Sequence, residues 1–369
     1  MGRRSWWFRI NIIMAEFKIN SITDRSGYCG PVISGVSTNN STGCMIIPAG
    51  PTEFRGGRGR GIVCGGRDNP SPGLAEITID MHEIATTGDA VDFGDLMGPN
   101  TGAKGGGGCG SATRAIIAGG YNPSPVSAVS TQIQYVVMSS QGGAIDWGDL
   151  AIAKNGLTPK SNSIRGVFQG GATPDYTSEM SSIYIHSLGL ASNFGSHLEG
   201  AIRNAGCVQN GTRGLWGGGQ GPTSNYFTIV SYEFATTGSG TKFGELLENP
   251  SNMAPVSSGI RGVLAGGATP DSAPLAINTI QYITISTEGN ATDFGDLTEI
   301  RRNIAGNTNR IRGTFSGGHV QSSGSGNNRN IIDFITIAST GNAQDFGDLT
   351  VVRRSADSGG SDTHGGLVR

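Results

Sequence analysis

Charged residues are scarce in this chain of 369 residues. Only 15% of the residues are Asp, Glu, Lys or Arg, against about 25% in an average globular protein. Segments that favour helices are also missing, because Gly, Pro and β-branched residues interrupt every window with helical spacing. Glycine, present 62 times, costs up to about 1 kcal/mol per helical position relative to alanine. These shortages exclude an all-helical protein. The glycines cluster in pairs instead of recurring at every third position, which excludes collagen.

Long apolar runs and an excess of charge of one sign are absent as well. No run after the first thirteen residues approaches the roughly 18 apolar residues that a membrane-spanning helix needs. The 26 basic and 28 acidic residues nearly cancel, so no face for a polyanion is indicated. We therefore expect neither membrane insertion nor nucleic acid as a partner. Most of the cations are Arg, which predicts structural arginines, because a planar guanidinium holds carboxylates and carbonyls rigidly.

The chain also lacks the cysteine and histidine patterns of metal sites and disulfide frameworks. Its five cysteines, Cys29, Cys44, Cys64, Cys109 and Cys207, form no CxxC pair and have no His at ligand spacing. We expect buried reduced thiols, suited to assembly in a reducing cytoplasm. The five histidines are isolated, and no Ser, His and Asp arrangement stands out. The sequence therefore predicts no metal, no cofactor and no catalytic residue.

An internal repeat organises most of the chain. The motif Arg-Gly-x-x-x-Gly-Gly, once with Ala for the first Gly, recurs at steps of 54, 51, 48, 48 and 51 residues, at 60–66, 114–120, 165–171, 213–219, 261–267 and 312–318. A second motif, Asp-Phe-Gly-Asp-Leu or a variant, follows each copy, at 92–96, 146–150, 193–198, 242–246, 293–297 and 345–349. The constant phase of the two motifs indicates repeated units of one architecture.

The segments between the two motifs have the alternation of β-strands. Residues 277–286 and 331–338 are rich in β-branched residues, and turns follow at 287–290 and 340–342. A further short strand before each Arg-Gly gives about four strands in about 50 residues, as in a β-propeller blade of the kelch type. We expect the Gly-Gly to end a strand where neighbours approach too closely for a Cβ. The Phe of the second motif should fill the space between blades, the Gly should turn the strand, and each Asp should accept hydrogen bonds from turn amides or a repeat Arg.

Two metal-related interpretations of the second motif are weaker. Asp-Phe-Gly also occurs in protein kinases, but here it recurs around the repeat without a catalytic-loop His-Arg-Asp. The paired acids suggest Ca²⁺, yet Asn193, Lys242 and Glu245 stand at acidic positions, where a required ligand would not vary so freely. A structural role is the simpler interpretation.

Taken together, these features resemble a kelch repeat. A diglycine ends one strand, the next strand carries an aromatic residue, and a second aromatic precedes a Leu and a trailing Arg. The first aromatic is Tyr135, Tyr184, Tyr232, Tyr282 or Phe334, the second is Phe93, Trp147, Phe194, Phe243, Phe294 or Phe346, and the trailing Arg is Arg203, Arg301 or Arg353. The Phe-Gly-Asp context and the missing Tyr-Asp pair depart from the standard kelch pattern. Over residues 50–369, the amino-acid sequence of the repeat is similar to that of kelch-like propeller proteins of tailed bacteriophages, especially marine ones that infect cyanobacteria.

The two ends of the chain suggest how the ring closes. Residues 353–368 match the start of a further repeat, and strands at 30–37 and 43–47 could complete that blade. We therefore predict an all-β, kelch-like β-propeller of seven four-stranded blades, closed by N- and C-terminal strands, with six blades as the alternative. Closure would protect the strand edges from aggregation.

The predicted domain organisation has three parts. Residues 1–14 are interpreted as a disordered lead or a misassigned start before Met14, because three arginines and two tryptophans make this stretch unlike the rest of the chain. Residues 15–49 are assigned to N-terminal strands that attach the protein or close the ring. Residues 50–369 are assigned to the propeller.

The resemblance implies a non-enzymatic role. Such phage propellers are predicted virion or tail-associated structural components, made in the host cytoplasm and located in the virion as part of a homo- or hetero-oligomeric assembly. The implied partners are other virion proteins and a host surface glycan or receptor. Two alternatives remain open. One is a carbohydrate-active or oxidative propeller enzyme, with carboxylates or histidines converging on the channel, and the other is a cellular protein-interaction scaffold.

The loops that follow each Gly-Gly are the expected recognition surface. Antiparallel order places the loops at 121–130, 173–179 and 320–328 on the same face as the connections between blades. Tyr121 and Tyr176 are the aromatic residues there that can stack on a sugar or a partner. We therefore predict these two tyrosines as binding residues.

Overall fold

The computed structural model describes residues 37–38, 45–46, 59–67, 76–98, 107–122, 128–270, 276–320, 327–354 and 357–362. The chain divides into two compact units, Met1–Glu53 and Phe54–Arg369. In the first unit, β1 (Ser37–Thr38) pairs antiparallel with β2 (Met45–Ile46). The predicted lead at 1–14 lies outside the described residues.

No helix among the described residues is long and apolar enough to cross a membrane.

The described strands of the second unit form a β-propeller of six blades. Each blade is built around a four-stranded antiparallel sheet. The first strands of blade 1 are β3 (Arg60–Cys64), β4 (Thr78–Glu83) and β5 (Val91–Asp95). Blade 2 and its inserted hairpin contain β6 (Gly107–Gly110), β7 (Arg114–Ala118), β8 (Tyr121–Asn122), β9 (Ala128–Val129), β10 (Gln132–Val137) and β11 (Ile145–Asp149). In blade 2, β8 and β9 form the hairpin.

Blade 3 and its insertions contain β12 (Thr158–Ser161), β13 (Arg165–Gln169), β14 (Ala172–Thr173), β15 (Asp175–Tyr176), β16 (Glu179–Tyr184), β17 (Gly189–Leu190) and β18 (Ser192–Ser196). Here β14 and β15 form a hairpin, and β17 pairs in parallel with β11 of blade 2. Blade 4 contains β19 (Gly206–Gln209), β20 (Arg213–Gly217), β21 (Thr228–Glu233) and β22 (Thr241–Glu245).

Blade 5 contains β23 (Ala254–Ser257), β24 (Arg261–Ala265), β25 (Thr279–Thr284) and β26 (Thr292–Asp296). Blade 6 contains β27 (Ala305–Thr308), β28 (Arg312–Ser316), β29 (Arg329–Thr336) and β30 (Gln344–Arg353). The last strand, β31 (Asp357–Ser361), returns to blade 1.

The ring closes through β31, which pairs antiparallel with β3 so that Ser361 lies opposite Gly61. The carboxylate of Asp362 then accepts the backbone N–H groups of Gly59 and Arg60, at 3.1 and 2.9 Å. The prediction of an all-β propeller is confirmed, but the prediction of seven blades is wrong and the alternative of six is correct. The partial repeat at the C-terminal end supplies the inner strand that the first repeat lacks, so the described four-stranded sheets of this unit form six blades and no seventh. The predicted N-terminal strands are described only as β1 and β2, which pair with each other.

The repeat arginines tie each blade to the next one. In every repeat, Nη1 of the Arg that opens Arg-Gly donates to a backbone carbonyl at the hairpin of the following blade. The pairs are Arg60 with Met138, Arg114 with Ile185, Arg165 with Phe234, Arg213 with Ile285, Arg261 with Ile337 and Arg312 with Ala85. The last pair runs from blade 6 to blade 1. These contacts confirm the expectation that arginines serve structural positions.

The aromatic residues of the second motif fill the space between blades, as predicted. Each is at most 4% exposed: Phe93, Trp147, Phe194, Phe243, Phe294 and Phe346. Phe294 of blade 5, for example, belongs to one buried cluster with Phe315 and Ile335 of blade 6. The hydrophobic core therefore lies mainly between neighbouring blades and not in one central cluster. Cys64, Cys109 and Cys207 are buried thiols within this core, whereas Cys29 and Cys44 lie outside the described residues.

The diglycines end their strands at places of close approach. In blade 5, Gly266 and Gly267 have φ values of 61° and 111°, which residues with a Cβ rarely adopt. A Cβ on Gly266 would lie 2.5 Å from the carbonyl oxygen of Arg301. The diglycine thus lets the connection between two blades pass directly beside the end of the strand.

Candidate binding site at the channel mouth

The connections between blades converge at one end of the propeller axis. In four of the described connections, a residue in the left-handed region lies just before an inner strand: Gly156, Asn204, Asn252 and Asn303, with φ of 67°, 54°, 60° and 56°. Gly and Asn tolerate this conformation best. The N–H of Asn204 donates to the carbonyl of Gly156 (2.9 Å), Asn252 to Asn204 (2.8 Å), and Asn303 to Asn252 (3.0 Å). Because the inner strands contact one another around the axis, this chain of hydrogen bonds forms an arc around the channel mouth.

The loops after each Gly-Gly lie on the same face as this arc. The residue before each left-handed position forms a backbone bridge with the residue that follows the Gly-Gly of the next blade. The bridges are Asn155 with Ala172, Arg203 with Gln220, Ser251 with Ala268 and Arg302 with His319, and Arg354 bridges to Arg67 in the same way. The predicted placement of these loops beside the connections is therefore confirmed where the loops are described. Residues 123–127 and 321–326 of the predicted loops lie outside the described residues.

These two sets of residues enclose a cavity of about 460 Å³ at the channel mouth. This volume is within the range of about 300–1,000 Å³ that is typical of small-molecule sites. Its described lining is Tyr121, Asn155, Gly156, Arg203, Asn204, Gln220, Asn252, Arg302, Asn303, His319 and Arg354. The lining combines guanidinium groups and carboxamides with one phenol and one imidazole. None of these described lining residues is acidic.

Neutral partners position two of the lining arginines. Arg203 donates through Nε and Nη2 to Oε1 of Gln220, at 3.1 and 3.0 Å. Arg302 donates through Nε and Nη2 to Nε2 of His319, both at 3.3 Å. A neutral acceptor fixes the orientation of a guanidinium but leaves its charge uncompensated. Within the described part of the chain, no carboxylate lies within ion-pair distance of Arg203, Arg302 or Arg354.

The described lining of the channel mouth is therefore electropositive. Burial lowers the pKa of Arg302 below its ordinary value. Burial also lowers the pKa of Arg354, and the nearby positive charges of Arg67 and Arg302 add to this effect. Both shifts mean that the charged forms of Arg302 and Arg354 are less favourable in this site than in water.

The two predicted tyrosines have different environments. Tyr121 lines the cavity. Tyr176 is not among the lining residues, but the guanidinium of Arg203 lies 4.6 Å from the centre of its ring, which is within cation–π distance. The structure thus brings both tyrosines to the region of the channel mouth, where their binding role stays a prediction.

The lining arginines and asparagines were not predicted from the sequence. The trailing Arg of the repeat is Arg301 and Arg353, which are fully buried in ion pairs. The sequence pattern predicts Arg203 as a third trailing Arg, but this prediction is wrong, because its bridge to Gln220 shows that it corresponds to Arg302 and Arg354. The physical reason is that the connection after Phe194 is one residue longer than the connection after Phe294. The available signal was the recurring Asn beside Arg, at 203–204 and 302–303.

Other titratable groups lie inside the blades and away from this cavity. Burial lowers the pKa of His82 and of His197 to about 4, and Nε2 of His82 lies 2.9 Å from the hydroxyl of Thr314. Lys160 is buried on inner strand β12, and this burial lowers the pKa of its ammonium group. Burial raises the pKa of Cys109 to about 12, so this thiol is a poor nucleophile. Within the described ranges, no group of three or more His, Cys, Asp or Glu side chains is placed to hold a metal ion.

Comparisons with known proteins add no family to these observations. No protein-family model matches the chain, and no curated protein is similar to it in sequence. The fold is shown by the strands themselves: the chain forms a six-bladed β-propeller.

Proposed function

We propose that this protein is a non-enzymatic recognition propeller, a rigid ring that presents one face to a binding partner. The observation that carries this proposal is the polar cavity at the channel mouth, on the face that also carries the loops after each Gly-Gly. Loops on a constant scaffold are the usual place for recognition residues. The six blade-to-blade arginine contacts keep that scaffold rigid around the whole ring.

The chemistry of the cavity favours binding over catalysis. Its described lining provides guanidinium and carboxamide donors, and none of these residues is Asp, Glu, Ser, Cys or Lys. Hydrolysis of a glycosidic bond usually needs a pair of carboxylic acids, and acyl transfer needs a nucleophile beside a base. His319 is the one imidazole among the described lining residues, and its Nε2 accepts from Arg302. These groups orient and hold a ligand.

We further propose a virion as the setting for this recognition. The support is the similarity of the repeat over residues 50–369 to kelch-like propellers of tailed phages. In that setting, one part of the protein contacts other virion proteins, and the channel-mouth face contacts a receptor or glycan on the host surface.

Quantitative mass spectrometry of purified, nuclease-treated particles from the source of the sequence tests this proposal. We expect peptides of this chain at a fixed ratio to the major structural proteins, through all steps of a density gradient. Antibody labelling in electron microscopy should then place the chain at one kind of site on the particle. Finding the chain only in the soluble fraction of the lysate would rule out the virion role and favour a cellular interaction scaffold.

A further inference from the structure

The three arginines of the channel mouth come from equivalent positions of the repeat. Arg203, Arg302 and Arg354 each precede a connection into the next inner strand and bridge to the residue after a Gly-Gly. The approximate symmetry of the propeller therefore directs them towards one axis, although they are far apart in the sequence. All three are half-buried and line the same cavity. Their clustering is a consequence of the ring and not of local sequence.

These arginines differ from the other repeat arginines in what they contact. The Arg of each Arg-Gly donates to a backbone carbonyl, and Arg301 and Arg353 pair with buried carboxylates. Arg203 and Arg302 instead donate to Gln220 and His319, which carry no negative charge. Bringing like charges together costs free energy unless an anion offsets it. A negatively charged group that binds in the cavity relieves the repulsion between these arginines, and this relief favours its binding.

Carboxamides surround the charged groups. Nδ2 of Asn303 donates to Oδ1 of Asn252 at 2.8 Å, which holds two of the amides in a fixed orientation. Asn155 and Asn204 also line the cavity, and Tyr121 adds an aromatic ring. Amides that both donate and accept are suited to hydroxyl groups, and an aromatic ring is suited to the apolar face of a sugar. The ligand that these groups fit is polar as well as charged.

We propose that the channel mouth binds a hydroxylated, sugar-sized ligand through one oxyanion group, a carboxylate or a phosphate. The guanidinium groups of Arg302 and Arg354 hold the oxyanion by charge-assisted hydrogen bonds, and the lining asparagine amides hold the hydroxyls. This inference deepens the proposed function and rests on it, because it names the chemistry of the partner at the recognition face. An acidic sugar unit of a surface glycan has this chemistry.

Titration calorimetry with small probes at low ionic strength, where screening is weak, tests the proposal on the full chain. The probes are D-glucuronate, D-glucose 6-phosphate and D-glucose, and the first two distinguish a carboxylate from a phosphate. We expect saturable binding of at least one anionic sugar that weakens as salt is added, and at least about tenfold weaker binding of glucose, the loss typical of charge-assisted hydrogen bonds. Equal affinity for glucose, or no binding of either anionic sugar, would overturn the proposal without any variant being needed.

Matched variants locate the binding. Arg302→Gln and Arg354→Gln each remove one charge from the cavity and keep most of the side chain, so we expect about tenfold weaker binding of the anionic sugar. Arg310→Gln is the control, because Arg310 is exposed at the turn between β27 and β28, at the other end of β27 from the cavity. Circular dichroism confirms that each variant is folded. Unchanged binding in both cavity variants, or equal weakening in Arg310→Gln, would contradict the proposed site.

The two proposals fail separately. If particles contain the chain but neither anionic sugar binds, the proposed ligand class is wrong and the virion role stands. If the sugar binds at Arg302 and Arg354 but particles lack the chain, the site stands and its biological setting is different.

Discussion

At the scale of single residues, Arg301 and Arg353 show how the repeat buries charge. Nη2 of Arg301 lies 2.5 Å from Oδ2 of Asp333, and Nη2 of Arg353 lies 2.8 Å from Oδ2 of Asp80, with all four side chains inaccessible to solvent. Each carboxylate also accepts a threonine hydroxyl, from Thr298 at 2.7 Å in the case of Asp333. Good geometry and the extra hydrogen bonds offset the cost of desolvating the ions.

The same pair of positions is apolar elsewhere in the ring. Between blades 3 and 4, Ile202 takes the place of Arg301 and Val230 takes the place of Asp333, and both are buried. Between these two blades neither position carries a charge, so no buried ion needs a partner there.

Asp333→Asn should therefore lower the free energy of unfolding by about 3–5 kcal/mol, since it leaves Arg301 buried and uncompensated. The double variant Arg301→Ile with Asp333→Val should recover most of this loss, as the natural pair Ile202 and Val230 indicates. Urea unfolding measures both effects. Glu299→Gln is the control, because Glu299 pairs with Arg329 near the surface and should cost less than about 1 kcal/mol. A double variant that is no more stable than Asp333→Asn would contradict this account.

His197 is a second residue that differs from its counterparts in the other repeats. It stands where the other blades have the buried residues Leu96, Leu150, Leu246, Leu297 and Leu349. Burial lowers its pKa in the native state from 6.5 to about 4. Above pH 6.5 the imidazole is neutral in both states, but between pH 6.5 and 4 the unfolded chain binds the proton first. Native stability is therefore lost progressively as the pH falls through this window.

His197→Leu should raise the free energy of unfolding and reduce its decline between pH 6.5 and 4. The reduction should approach about 3 kcal/mol at the acid end, because one pKa unit corresponds to about 1.4 kcal/mol. Denaturant unfolding at several pH values measures this change, and His82 should account for much of the dependence that remains. His186→Gln, at an exposed position, should leave the pH profile unchanged. An equally steep profile in His197→Leu would show that the acid sensitivity arises elsewhere.

At the scale of strands and turns, the Gly of the second motif forms the contact between blades. A Cβ on Gly295 at the end of blade 5 would lie 2.5 Å from the carbonyl oxygen of Gly341 in the turn of blade 6. The N–H of Gly341 donates to the carbonyl of Phe294 at 2.7 Å. The same contact joins blade 6 to blade 1, where Gly88 donates to Phe346 at 2.8 Å. The sequence predicts that this Gly turns the strand. The structure gives a further reason for a Gly at this position, which is the close approach of the next blade.

Gly295→Ala should thus lower the free energy of unfolding by about 2–4 kcal/mol, through backbone strain and the clash with the neighbouring turn. Its φ of 146° is unfavourable for alanine. Gly289→Ala is a matched control, because Gly289 lies in the equivalent turn contact but a methyl group added there would point into open space. Thermal unfolding of the two variants compares them directly. Equal midpoints would show that the turn moves aside without cost.

At the scale of the whole molecule, a single strand closes the ring. β31 comes from the end of the chain and completes blade 1 beside β3, and the side chain of Arg353 reaches Asp80 on β4. On the axis, Ser361 donates its hydroxyl to the carbonyl of Thr308 on β27. Without β31, the inner edge of β3 and the sides of two neighbouring inner strands would lose their partners.

A chain that ends at Arg354 should therefore be much less stable than the full chain and prone to aggregate through the exposed edge of β3. Thermal unfolding and size-exclusion chromatography measure these effects. A chain that ends at Asp362 keeps β31 and the hydrogen bonds of Asp362 to Gly59 and Arg60. It should be much more stable than the chain that ends at Arg354. Equal behaviour of both truncated chains would mean that closure of blade 1 contributes little.

The repeated unit is predictable from the amino-acid sequence. The spacing of Arg-Gly-x-x-x-Gly-Gly and of the second motif identified a propeller, its strands and the residues between its blades, because these features depend on contacts that every repeat makes in the same way. The number of blades did not follow, since a partial repeat at the end of a chain can start a new blade or complete the first one. Pairing of β31 with β3 decided in favour of six.

The position of the candidate binding cavity follows from the closed ring. Tyr121, Arg203, Arg302 and Arg354 belong to different repeats, and the Arg-Asn pairs at 203–204 and 302–303 do not by themselves show that these side chains face one cavity. They meet because the ring brings equivalent positions to one axis, and the cavity between them exists only when the ring is closed. A pattern within one repeat reports contacts between neighbouring blades, whereas the channel mouth is a property of all six blades together.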